Sequence, residues 1–215
     1  MFVKPEMIEK ESMRLIEEGM DKKRIAFYSK RELKIVKRCI HTSADFDYQY
    51  NMIFSKDVVG NAFEIFKRGA VVVCDTAMAA AGINKRVLGE LNSEVRSFIA
   101  DEDVAKEAAE RGITRSAICI ERAASLYEKS KKPVIIAVGN APTALIKLHE
   151  MIKDGSFIPD LIIGVPVGFV NVVESKELIL SDNCKCIVSA GRKGGSNIAA
   201  CIVNSIMYQL KEENI

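Results

Sequence analysis

The chain has two histidines, His41 and His149, so proton transfer near neutral pH has few possible carriers. His41 stands in Ile40-His41-Thr42-Ser43-Ala44-Asp45-Phe46-Asp47, three residues after Arg38, and on a helix the two project from neighbouring positions. A histidine that only complements the dipole at a helix end is the ordinary alternative. Asp45 and Asp47 are candidates to orient the ring, with solvated helix-end carboxylates as the alternative. His149 flanks the apolar positions of an amphipathic stretch, Leu145–Ile152, and reads as structural.

A second group of residues points to an anion. Gly191-Arg192-Lys193-Gly194-Gly195-Ser196 joins two cations to a helix start, where backbone N–H groups and the dipole favour negative charge. The spacing is not that of a Walker A loop, and no GxGxxG follows a strand. Arg38, Arg86 and Arg115 are further cations, and Thr114-Arg115-Ser116 opens a helix. Singly, each is an ordinary solvated arginine. Together with the Gly191–Ser196 loop they suit a ligand bearing several carboxylates, which guanidinium pairs bidentately. The six cysteines include no CxxC and lie apart from the histidines, so reduced core packing is expected rather than zinc. No GxSxG elbow favours a hydrolase.

The elements that must position these groups can be read from apolar runs. Pro133–Pro142, Leu161–Gly168 and Cys186–Ser196 are each a Val/Ile run that stops at Gly or Pro and restarts as a helix. If the runs are buried parallel strands, all three stops fall on the sheet edge where open α/β proteins hold ligands. Ala70–Cys74 and Ser93–Ile99 are expected as two further strands. Pro5 opens a helix to about Gly19, with Met7, Ile8, Leu15 and Ile16 near helical spacing. Ser29 and Glu32 form a capping box for a helix carrying Leu33, Val36 and Ile40. Helices are also expected at about Lys56–Arg68, Glu102–Arg111 and Thr114–Lys129, with Pro142 and Ser196 as helix starts. About five strands alternating with helices make a doubly wound, mainly parallel sheet, in one domain over residues 1–215.

Length and composition set the class of partner. A chain of 215 residues buries a substantial core without staples. Thirty-one Lys+Arg against 29 Asp+Glu give no electrostatic footprint for nucleic acid. Met1–Lys10 has no apolar core of a secretory signal, and Leu161–Val170 is half the length needed to cross a bilayer. A small-molecule enzyme of the cytoplasm, without a membrane partner, is expected.

The strings IHTSADFDY, CDTAMAAAGI, TRSA, VGNAPTAL, GVPVGFVNVVESKE and GRKGGSNIAA, in this order, resemble the precorrin-8X methylmutases of cobalamin biosynthesis over nearly the whole chain. The resemblance implies an isomerase that moves a methyl group between adjacent carbons of a corrin precursor, giving hydrogenobyrinate or its cobalt form. It further implies a flavodoxin-like, three-layer α/β/α fold, a homodimer with the macrocycle near the subunit interface, and no separate cofactor. The family's catalytic histidine falls on His41. Substrate contacts fall on Ser12, Arg38 and Arg115, and on Thr114, Asn140 and Arg192, which match its motifs. Ala44-Asp45-Phe46-Asp47-Tyr48 resembles the cobalt-early branch, whose substrate is cobalt-precorrin-8. A non-catalytic corrinoid carrier or sensor is the alternative, and a phosphate enzyme using Gly191–Ser196 is a second.

Overall fold

The computed structural model describes residue 4 and residues 7–213. Pro5, expected to open the first helix, lies outside them. The chain begins with α1 (Ile8–Gly19), α2 (Lys22–Phe27), α3 (Lys30–Ser43) and the single turn α4 (Tyr48–Asn51), which leads into strand β1 (Met52–Phe54). Then follow α5 (Val58–Lys67), β2 (Val71–Cys74), α6 (Ala77–Gly82), α7 (Lys85–Glu90) and β3 (Glu94–Arg96). The second half runs α8 (Glu102–Arg111), α9 (Arg115–Ser130), β4 (Val134–Val138), α10 (Pro142–Lys153), β5 (Leu161–Gly164), α11 (Val172–Ser181), β6 (Cys186–Ser189) and α12 (Ser196–Glu213).

Local chemistry accounts for several of these boundaries. The Ser29 hydroxyl accepts from the Glu32 N–H while the Glu32 carboxylate accepts from the Ser29 N–H, so the capping box at α3 is complete. The Asp21 carboxylate accepts from the Lys23 N–H and starts α2, a helix too short to be legible in its periodicity. Pro142 occupies the first turn of α10, where its missing N–H costs nothing. In α1 only part of the apolar pattern faces inward: Ile16 is buried, whereas Met7, Ile8 and Leu15 are about half exposed.

The strands form one sheet in the order β1-β6-β5-β4-β2-β3. Five are mutually parallel, and β1 pairs antiparallel with β6 through Met52–Ser189, Ile53–Val188 and Phe54–Ile187. The expectation of five strands is thereby corrected to six. Strand β1 has three residues wedged between helices, too few to show an alternating pattern. Strand β3 is shorter than the expected Ser93–Ile99, because as an edge strand it pairs only with β2.

Both sheet faces are covered, giving three layers. Val72, Cys74, Ile135, Ala137, Ile163 and Ile187 face α1, α3, α5 and α12, in a cluster with Ile16, Val36, Phe63 and Ile202. Their alternates Val71, Val73, Val134, Ile136, Ile162 and Val188 face α9, α10 and α11, with Ile120, Leu148 and Ile179. Burial on both faces is why these strands read as unbroken apolar runs. Each buried valine, leucine or isoleucine among them contributes roughly 1.5–3 kcal/mol over an exposed one. No described helix is long and apolar enough to cross a membrane.

Candidate functional site

The three Gly/Pro stops do meet at one edge of the sheet, and there they interlock. A Cβ on Gly194 would lie 2.1 Å from the Val165 carbonyl oxygen, and one on Gly139 would lie 2.6 Å from Ser196 Cα. Only glycine permits either approach. The Gly195 N–H donates to the Val165 carbonyl at 2.9 Å, and the Gly168 N–H donates to the Arg192 carbonyl at 3.1 Å. Thr76 Oγ1 and Ser196 Oγ share a 2.8 Å hydrogen bond that ties the start of α6 to the start of α12.

The strand order reverses between β2 and β4, which is where open α/β sheets hold ligands. Here the chain supplies its own anion. The buried Asp75 carboxylate, at the end of β2, accepts from the N–H groups of Gly139, Asn140 and Ala141 at 2.8–2.9 Å. Burial pushes its pKa up, against the downward pull of those three donors. The N–H groups that an external phosphate would use are already engaged.

Gly191–Ser196 is tied down mainly through its carbonyls, with the Gly195 N–H the donor it spends on Val165. Lys176, on α11 and 1% exposed, donates through Nζ to the carbonyls of Gly191 at 2.7 Å and Lys193 at 2.9 Å. Ser189 Oγ donates to the same Lys193 carbonyl at 3.0 Å. Burial lowers the pKa of Lys176 to about 8. Lys193 reaches out of the loop to Asp45 Oδ2 at 2.6 Å and Asp47 Oδ2 at 2.7 Å. The ammonium holds the Asp45 carboxyl below its usual range. The idea that Asp45 or Asp47 orients His41 is therefore corrected, since both carboxylates turn to the opposite charge on Lys193.

His41 is exposed on the last turn of α3, which ends at Ala44 in the left-handed conformation. Two cavities flank it. One, about 280 Å³, is lined by Arg38, His41, Thr42, Asn197, Asn204 and Tyr208, with Gly82 and Cys201 also in its wall. The other, about 300 Å³, is lined by Ser12, Leu15, Ile16, Ile40, His41, Ala44 and Phe46. Arg38 pairs with Glu9 at 2.5 Å, and Ser12 Oγ donates to the Ile8 carbonyl at 2.8 Å. His41, Arg38 and Ser12 thus converge, carried by α1 and α3.

The remaining sequence candidates lie elsewhere along the same edge. Thr114 caps α9 by accepting from the Ala117 N–H, and its hydroxyl donates to Thr143 Oγ1 at 2.9 Å. The pair lines a separate cavity of about 310 Å³ with Arg111 and Lys147. Arg115 is exposed and reaches the Ile99 carbonyl at 3.4 Å, and Asn140 is exposed beside the Asp75 nest. Arg192 is exposed, with its guanidinium 5.8 Å from the Phe169 ring centroid. Arg86 is exposed on α7 near Glu90 and lines neither cavity at His41.

Several residues that shape the site were not singled out from sequence. Asp75 and Thr76 follow an apolar run directly, a carboxylate and a cap at a strand end, which is a legible signal. Lys176 gives no such signal, because it stands among the polar residues Glu174, Ser175 and Glu177 of α11. Asn204 and Tyr208 give no signal, because their place beside His41 depends on α12 packing across α3.

A profile of the precorrin-8X methylmutase family matches residues 7–209. The chain is 39% identical over 212 residues to cobalt-precorrin-8 methylmutase of Salmonella typhimurium, covering 97% of each sequence. It is 36% identical over 204 residues to the Priestia megaterium protein of the same name, covering 95% of this chain and 88% of the relative. Among solved structures it is similar to precorrin-8X methyl mutase from Thermus thermophilus, with a TM-score of 0.83 and 30% identity. That match covers 97% of this chain and all of the other.

Proposed function

The chain belongs to the precorrin-8X methylmutase family, an isomerase family that moves a methyl group within one molecule, and from that premise we propose cobalt-precorrin-8 as its substrate, rearranged to cobyrinate. The names carried by the Salmonella and Priestia relatives and the acidic Asp45–Asp47 segment support the cobalt-loaded ring over the metal-free one. The metal enters as part of the substrate. The carrier reading is not favoured by a family whose members are enzymes.

One observation carries the assignment of roles: His41 stands unshielded between two cavities, with Arg38 and Ser12 beside it. Each cavity is at the lower limit for a drug-sized ligand, so a macrocycle must lie across both, over His41. In that pose His41 donates a proton to the ring framework as the methyl group migrates and takes a proton back from the ring as the product forms, so the isomerisation balances. The shift itself is intramolecular and consumes no electrons. Arg38 meets peripheral carboxylates, exchanging Glu9 for the ligand, and Ser12 donates a hydrogen bond at the opposite rim. Thr114, Arg115, Asn140 and Arg192 meet the outer acetate and propionate arms.

We read the molecule as a homodimer whose interface lies near this site. Phe169 and Val170 are 84% and 75% exposed at the same sheet edge, beside Arg192. The five parallel strands, β3-β2-β4-β5-β6, follow the order 2-1-3-4-5 of the flavodoxin-like doubly wound arrangement. The test is anaerobic incubation with cobalt-precorrin-8 and spectroscopy of the chromophore. Conversion to the cobyrinate spectrum is expected, with none by His41→Ala. Tight binding without conversion defeats the enzyme reading.

A further inference from the structure

The ion pairs at the end of α3 differ from the others on the surface in what they connect. Lys193 binds two carboxylates, and both belong to the four-residue link between His41's helix and α4. That link is held from its other side as well. The Ala44 N–H donates to the Ile40 carbonyl at 2.7 Å, and the Asp45 N–H donates to Ser43 Oγ at 3.2 Å. Lys193 itself sits on a loop fastened from several sides. Its carbonyl accepts from both Lys176 and Ser189, and Gly194 beside it is packed against Val165. Lys176 has no carboxylate partner among the described residues; its only hydrogen bonds run to loop carbonyls. A buried cation with no counter-ion is costly to keep, and here its contacts hold one loop in place.

We propose that Lys193, seated by the buried Lys176, is a positioning residue for His41: it ties the loop after β6 to the segment that ends α3 and so fixes where the imidazole stands between its two cavities. Lys193 does not touch the substrate in this account. It acts through Asp45 and Asp47. The proposal rests on His41 being the acid of the methyl shift.

The test uses the full chain with cobalt-precorrin-8 under anaerobic conditions. A small displacement of a reacting group can cost up to about a hundredfold, so Lys193→Met should lower kcat by about tenfold. KM should stay within about threefold, since no binding contact is removed. Thermal stability should barely change, because the ion pairs are partly exposed. Lys193→Arg should recover most of kcat. The double variant Asp45→Asn with Asp47→Asn should match Lys193→Met, and combining all three should be no worse, as expected of one coupled unit. Lys211→Met, which breaks an ion pair to Glu90 on α7, should leave kcat at the wild-type value. Wild-type kcat in Lys193→Met overturns the proposal, as does a rise in KM alone, which would make Lys193 a substrate contact. Additive losses overturn it too. His41→Ala separates this from the parent reading: if that variant turns over normally, the acid role fails first, whereas an inert His41→Ala beside a fully active Lys193→Met defeats the positioning role alone.

Discussion

The two histidines stand at opposite edges of one sheet and are treated in opposite ways. His149, on α10, turns its Nδ1 to the fully buried carboxylate of Asp182 at 2.9 Å, close to where α11 gives way to β6. Lys153 adds a second, longer contact to that carboxylate at 3.6 Å. His41, where the α3 helix ends, is exposed between two cavities, and its neighbouring carboxylates are committed to Lys193. A buried His–Asp pair resembles catalytic machinery more than a bare surface histidine does. Yet the bare residue borders two cavities, and the paired one lines neither of them. A proton donor for a large ligand must be reachable across a broad face. A neighbouring carboxylate would also compete with a polyanionic substrate for it.

The sharpest way to break this comparison is to remove each ring in turn. His41→Ala should lower kcat by at least about a hundredfold, the contribution of general acid catalysis, with melting temperature and product affinity nearly unchanged. His149→Ala should keep kcat and instead lose about 1–3 kcal/mol of stability by chemical denaturation, because the buried Asp182 loses its nearest partner. Exchanged outcomes would reverse the assignment.

Next in size is the titration of Lys176, the buried cation on the His41 side. Its folded pKa of about 8 lies below the ordinary 10.5, so below about pH 8 the folded state bears the cost of holding the charge. The unfolded chain binds more protons between about pH 8 and 10.5, and stability from this group therefore rises across that window. Relative to Lys176→Met, the wild-type protein should gain up to about 3 kcal/mol over it. A flat difference between the two proteins would show that the carbonyls of Gly191 and Lys193 fully compensate the burial.

The arginines sharpen the same contrast. Arg38→Ala and Arg115→Ala should each weaken cobyrinate binding about tenfold or more in a direct titration, the loss of one charge-assisted contact. Lys replacements should recover only part of it, because a point charge cannot pair bidentately. Unchanged affinity in both would take these residues out of the site. The smallest expected effect is the choice of ring. In competition at equal concentrations, the cobalt-loaded substrate should have the higher kcat/KM, and a preference for the metal-free ring would overturn the branch assignment alone.

Much of the frame was legible along the chain. The strands β2, β4, β5 and β6 are buried on both faces, so each is an unbroken run of apolar residues bounded by glycine or proline. The capping box at Ser29 and the proline at the start of α10 act within four residues of themselves, and sequence shows such signals directly. The family motifs placed His41, and its three-residue spacing from Arg38 on a helix was enough to join those two. What stayed hidden depended on contacts between distant segments. Strand β1 exists because β6 lies beside it, not because three residues prefer to be extended. The three loop stops looked like a ready binding site. In the folded chain Asp75 and Lys176 fill the inward donors and acceptors of those loops, and the open space lies beside them, where α1, α3 and α12 meet at His41. Local patterns determined the elements and the edge on which they open. Which groups at that edge satisfy one another, and which are left for a ligand, was decided only by packing, because pairing a buried charge depends on atoms brought within about 3 Å from remote parts of the chain.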